Sequence, residues 1–122
     1  MGTFAVPLQV SSPAGRQLVP VEALVDTGAT HTLLPRDVLV SLGIEAVERL
    51  SFQLADESVT EYEVGEARIR LDGRERTILV VFGPERATPL LGAATLEVFN
   101  LAVDPVKRQL VPVPGLLKRH LP

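Results

Sequence analysis

The sequence predicts an all-β domain with one or two short helices, and three observations lead there. Apolar residues are 46% of the 122 positions, enough to fill one core and too many for a disordered chain. They fall in short runs with loose alternation, the two-residue period of half-buried strands. Clusters of Gly, Pro, Asp and Ser separate the runs at turn-forming intervals. The length suits one compact domain over 1–122, with its core at about 3–113 and a loose tail at 114–122.

The elements follow in order. Residues 3–10 alternate and meet Ser11-Ser12-Pro13-Ala14-Gly15, a turn cluster. Residues 17–25 return as the second strand of that hairpin, and 31–34 form a short strand. Residues 35–42 read as one or two helical turns, with Pro35 at the first helical position and Gly43 as the C-terminal cap. Residues 52–54 and 59–71 bracket Ala55-Asp56-Glu57-Ser58, a hairpin tip. Asp72-Gly73 is a two-residue hairpin signal that leads into an apolar strand at 77–82. Residues 92–99 are the second helical segment. Residues 101–103, the Asp104-Pro105 turn and residues 109–113 make a last hairpin.

Composition removes several function classes. Net charge is −3 with interspersed signs, which offers no basic patch to nucleic acid or to an anionic membrane. The absence of cysteine excludes disulfides, thiolate catalysis and Cys-based zinc sites. His31 and His120 are too few and too far apart for a metal site and read as ordinary polar residues. No run approaches a membrane span, and the N-terminus lacks a basic-then-apolar signal pattern, so a soluble cytoplasmic protein is expected.

Chemistry is carried by Ala23-Leu24-Val25-Asp26-Thr27-Gly28-Ala29-Thr30. An apolar strand delivers the Asp26 carboxylate into a turn of small residues, where it has few ways to be solvated. Enzymes prepare acids in such settings. A bare Asp-Thr-Gly arises by chance in on the order of a few per cent of chains this long. The tripeptide alone therefore leaves two readings, an active-site carboxylate or a turn in which Asp26 caps a backbone amide.

With the apolar run before it and Ala29-Thr30 after it, Asp26-Thr27-Gly28 resembles the active-site loop of retropepsin-like aspartic peptidases. These are the single-domain, retroviral-type branch, which includes bacterial-type members. The resemblance extends to the order of elements over roughly residues 3–113. Ala55, Asp56, Glu57 and Ser58 stand where that family carries its substrate-covering flap. Leu90-Leu91-Gly92 before a short helix looks like the family's apolar-apolar-Gly segment, whose glycine lets a strand pass close behind the catalytic loop.

The resemblance implies a closed or partly open acid-protease-like barrel that hydrolyses peptide bonds with no metal and no cofactor. Asp26 takes the catalytic position and acts through an activated water. Thr27 matches the threonine that reaches across to a partner's loop, Gly28 the residue whose carbonyl holds the substrate main chain, and Ala29 completes the loop. Such chemistry needs two carboxylates sharing one proton. Asp37, Asp56, Asp72 and Asp104 all lie outside an Asp-Thr/Ser-Gly context, so the second carboxylate comes from a second copy of the chain. The expected assembly is a homodimer with its two-fold axis between Asp26 and the partner's Asp26. The substrate is an extended peptide or protein segment, held by main-chain hydrogen bonds.

Several positions depart from the retroviral pattern. Thr30 and Ala93 replace an Asp–Arg pair that braces many retroviral dimers; both halves are lost together, which leaves no buried charge unpaired. The flap tip is Asp56-Glu57 with no glycine, which disfavours a tight type I′ turn. Its two carboxylates above an acidic dyad point to basic substrates. An intact Asp26 argues for an enzyme. Thr30, Ala93 and Glu57 leave room for the alternative, a catalytically inactive dimeric peptide-binding module.

Overall fold

A computed structural model describes residues 4–115. Strands β1 (Ala5–Ser11), β2 (Val19–Val25) and β3 (Thr32–Pro35) precede helix α1 (Arg36–Ser41). Strands β4 (Glu48–Gln53), β5 (Val59–Leu71), β6 (Arg74–Gly83) and β7 (Leu90–Leu91) lead to helix α2 (Ala93–Val98). Strands β8 (Leu101–Asp104) and β9 (Gln109–Pro112) end the described chain. The expected strand at residue 3 and most of the expected tail, 116–122, lie outside the described residues.

The all-β expectation holds, and the sheet closes on itself. Seven strands run in the order β1-β2-β7-β3-β6-β5-β4, and a further β1–β5 pairing joins the first strand to the one before the last. That closing contact pairs Gln9 with Arg70, Val10 with Ile69 and Ser11 with Arg68. Closure removes the open edges that a flat sheet of this composition would expose. Only β4 stays outside the ring, paired to the first half of β5. β8 and β9 form a separate two-stranded sheet.

Local chemistry explains the element ends. Helix α1 stops in a Schellman motif: the Ile44 amide donates to the Leu39 carbonyl at 3.0 Å and the Gly43 amide to the Val40 carbonyl at 3.0 Å. Gly43 adopts the required positive φ of 75°, as its capping position predicts. Pro35 sits one residue earlier than expected. It is the N-cap, with φ −62° and ψ 139°, because its backbone still pairs with Gly83 as the last step of β3. Asp72 (φ 56°) and Gly73 (φ 76°) make the expected two-residue turn, and Leu71 faces Arg74 across it.

Two strands are longer than their apolar residues indicate. β4 starts at Glu48, well before residue 52, because only Leu50 and Phe52 turn inward while its charged and polar residues face water. β6 starts at Arg74, where charged residues continue the ladder. The Arg70 guanidinium donates to the Glu75 carboxylate at 2.7 Å across the hairpin, with Arg68 at 3.6 Å, and the pairing holds Glu75 below the usual carboxylate range. That ion pair is surface-exposed and adds register more than stability.

The core fills the barrel. Val10, Ala23, Leu34, Ile69, Val80, Leu91 and Phe99 are fully buried, drawn from six strands and the end of α2. Phe99 is the largest of them, and the Arg74 side chain donates to its carbonyl at 2.7 Å. Phe99→Ala should cost about 3–5 kcal/mol in urea unfolding, the usual loss for an aromatic ring truncated in a core. Val106, 88% exposed, should tolerate alanine within about 0.5 kcal/mol in the same measurement.

Candidate active site

The site is built where β2 ends. β2 carries Val21, Ala23 and Val25 into the core on alternate positions, so Asp26 emerges at a half-buried point fixed by that register. Its amide donates to the Leu91 carbonyl at 3.0 Å, and its carbonyl accepts from the Ala29 amide at 3.1 Å to close a turn. The Gly28 amide donates to Asp26 Oδ1 at 3.0 Å. The carboxylate thus does cap a backbone amide, which orients one oxygen and leaves the group at the surface of the protomer. Thr27 and Gly28 are exposed beside it, and Ala29 is half-buried.

A second layer holds this loop from behind. β7 is inserted between β2 and β3: it runs parallel to β2, with Leu24 beside Leu90 and Val25 beside Leu91, and antiparallel to β3 at Leu33. The chain then turns into α2, whose first amides, Ala93 and Ala94, donate to the Ala29 and Thr30 carbonyls at 2.8 and 2.9 Å. Gly92 makes this approach possible. A Cβ there would overlap the His31 carbonyl and lie 2.7 Å from the Thr30 oxygen. Leu90, Leu91 and Gly92 therefore support the loop of Asp26 through backbone contacts.

Two buried hydroxyls complete the support. The Thr32 hydroxyl accepts from the Gly92 amide at 3.0 Å and lies 2.6 Å from the Thr95 hydroxyl. Both threonines are almost fully buried. Sequence reasoning missed them; the available signal was a polar residue at an inward strand position, in register with buried Leu34. Thr30 and Ala93, which lack the ion pair, sit on opposite sides of the same contact, so amides and hydroxyls brace the loop within one protomer.

Beside the loop lies a groove of about 510 Å³. Leu33, Leu50, Phe52, Tyr62, Val81 and Leu90 make most of its wall, with Gly28, Ala29 and Thr30 at the end nearest Asp26. The β4–β5 hairpin forms one side. Its tip is not a type I′ turn: Leu54 and Ser58 close a three-residue loop in which Glu57 alone takes positive φ, 71°. Asp56 accepts from the Ser58 hydroxyl at 2.6 Å and amide at 3.0 Å, which shapes the tip without glycine and lowers the Asp56 carboxyl from its ordinary value. Ala55, Asp56, Glu57 and Ser58 are all exposed, and the groove is lined by the hairpin's stem rather than by these four. His31, read from sequence as an ordinary polar residue, lines the groove and meets the Phe52 ring edge-on at 5.3 Å.

The sequence profile of the aspartyl proteases matches residues 6–95, from β1 through the Asp26 loop and the hairpin to α2. The chain belongs to the aspartyl protease family. Solved structures agree on the fold. This aspartyl protease is similar to the retroviral protease-like domain of Ddi1 from Leishmania major, at 18% identity over 99% of both chains with a TM-score of 0.60. It is similar to the EIAV protease in complex with the inhibitor HBY-793, at 17% identity over 80% of this chain and 88% of that one, TM-score 0.56. The Simian Foamy Virus (mac) protease matches at 18% identity over 77% and 94%, TM-score 0.54. No curated protein matches in sequence. The fold is retropepsin-like.

Two outcomes follow for this aspartyl protease. Thr32→Val strands the Gly92 amide and the Thr95 hydroxyl, and should cost about 1–3 kcal/mol. In a double-mutant cycle with Thr95→Val the two losses should be clearly non-additive by thermal or urea unfolding. Ser58→Ala removes a donor to Asp56, so its carboxyl should titrate upward toward the ordinary aspartate range in an NMR pH series. The sign is that of a depressed acid. The tip's contribution is present above the unfolded carboxylate range and is lost as pH falls through the folded value.

Proposed function

We propose that the chain is a homodimeric aspartic endopeptidase that hydrolyses peptide bonds in an extended substrate, with Asp26 from each subunit activating one water. The observation that carries this reading is the state of Asp26. One oxygen is oriented by the Gly28 amide, on a loop locked from behind, at the open surface beside a groove. A lone carboxylate so placed is half of a catalytic pair.

The chemistry follows from pairing. With Asp26 and the partner's Asp26 facing across a two-fold axis, like charges at hydrogen-bond range cannot both ionise cheaply, so the pair holds one proton. The ionised carboxylate takes a proton from water as the oxygen attacks the peptide carbonyl. The protonated one donates to the carbonyl oxygen, and a proton then passes to the leaving amine. Thr27, exposed in the protomer, is positioned to cross the axis to the partner's loop. Gly28 presents its carbonyl to the substrate main chain, and the hairpin ending in Ala55, Asp56, Glu57 and Ser58 covers the bound segment.

Asp26→Asn should leave fold and dimerisation intact and lower peptide cleavage by about a thousandfold or more, because an amide cannot hold or shuttle the proton. Retained cleavage in a casein or peptide-library assay refutes the assignment; binding without cleavage by the unmutated chain would instead identify an inactive peptide-binding module.

The shared site also makes activity depend on concentration. With no charge pair at Thr30 and Ala93, the dimer should be weak and little affected by salt. Specific activity should fall on dilution below the dissociation constant. Adding an equal amount of Asp26→Asn chain should reduce activity to about half by random pairing. Constant activity per chain in both experiments, with sedimentation showing only monomer, overturns the dimeric model.

A further inference from the structure

The groove beside Asp26 carries one titratable nitrogen base that the hydrolysis does not use, among neutral polar side chains that include Thr30, Ser51 and Gln53. Its lining residues include no Lys, Arg, Asp or Glu. They include one imidazole, that of His31. The ring is half-buried, and its contact within the protomer is the edge-on packing against Phe52, which in turn meets Tyr62 at 6.0 Å. Among the described residues neither ring nitrogen has a hydrogen-bond partner, and neither is buried.

The ring is also held in place. The His31 carbonyl is packed against Gly92, and the next residue, Thr32, is tied to Gly92 and Thr95. A hydrogen-bonding group held on a rigid backbone, with apolar walls around it and no internal partner, discriminates strongly between ligands that satisfy it and ligands that do not. Its nitrogens can donate, and donate with full charge when the ring is protonated.

Resting on the reading of this groove as the substrate cleft, we propose that His31 is a specificity-determining residue that selects an acidic side chain, Glu or Asp, in a peptide whose neighbouring side chain is large and apolar. The apolar residue fills the space between Leu33, Leu50, Phe52 and Val81. The carboxylate accepts from His31. Groups packed against the ring are Phe52 from β4 and Tyr62 from β5; Asp26 lies on the same loop, and no cation competes for the substrate carboxylate. At the acidic flap tip Asp56 is engaged by Ser58, and residues 55–58 are not among those that line the groove.

The test uses binding, so that it does not depend on cleavage. Fluorescein-labelled octapeptides with a central Leu-Phe, each flanking position in turn set to Glu, Leu or Lys, are titrated with the Asp26→Asn chain by anisotropy. At one flanking position Glu should bind roughly ten- to a hundredfold tighter than Leu or Lys, the span of one charge-assisted hydrogen bond. In Asp26→Asn/His31→Phe, which keeps the ring contact with Phe52 and removes the nitrogens, that preference should fall to within about twofold, judged against the same bond energy. His31→Asp in the same background should turn it toward Lys, and His31→Gln, which keeps a donor, should retain part of it. No peptide binding, no Glu preference at any position, or a preference that survives His31→Phe overturns the proposal. His31-dependent binding with no cleavage by the unmutated chain removes the peptidase reading and leaves this one standing.

Discussion

The candidate site depends on one close backbone approach, the passage of Gly92 behind the loop of Asp26. Asp26, Ala29, Thr30 and Thr32 are each bonded to residues 91–94, through three backbone bonds of 2.8 to 3.0 Å and one hydroxyl. None of these contacts is local. The loop at 26–30 reaches its geometry only when β7 has entered between β2 and β3, where it pairs with both and completes the ring of strands. Barrel closure and loop geometry are therefore one event, and a side chain at position 92 would separate them.

That approach also explains how the chain does without charge at Thr30 and Ala93. A buried ion pair brings a desolvation penalty that its attraction often only balances. Here the Ala93 and Ala94 amides satisfy the Ala29 and Thr30 carbonyls, and the Thr32 hydroxyl, paired with that of Thr95, accepts from the Gly92 amide, all without burying a charge. Neutral bonds of this kind contribute about 1 kcal/mol each. They act inside the protomer, so loop order does not wait on a partner. What a partner contributes in the dimeric reading is the second carboxylate, and the loop is prepared for it in advance.

Much of this arrangement was legible in the residues. The alternation of β2 and its run into Asp-Thr-Gly located the loop, Gly43 and Asp72-Gly73 located two chain reversals, and Leu90-Leu91-Gly92 located the strand behind. What was not legible depends on distance in sequence. Thr32 and Thr95 are 63 residues apart, and nothing in either segment marks the other as its partner. His31 read as an ordinary polar residue because its neighbour Phe52 is supplied by another strand. The beginning of β4 was hidden for a different reason. A strand paired on one side, with water on one face, needs few apolar residues and so leaves a faint pattern. At the flap tip, the rule that a tight turn wants glycine was sound, but the loop is one residue longer than that turn, and one αL residue with an Asp56–Ser58 cap suffices.

The two sides of the groove differ in how firmly they are held, and that difference is set by pairing. The catalytic side rests on β7, flanked by β2 and β3, and on α2 packed behind it. The covering side is β4 and the first half of β5, a hairpin whose outer strand has a single neighbour. Local opening follows the number of contacts that must break together, so the hairpin opens at a lower free energy than the loop. The proposed peptidase reading needs that order: in it, the carboxylate is fixed before substrate arrives, while the hairpin admits a chain and closes over it. The His31–Phe52 contact joins the two sides at the one point where a side chain on the fixed loop touches a ring on the movable stem. A substrate group that engages His31 therefore competes with, or adds to, the contact that holds the hairpin down, and recognition and closure act through the same ring.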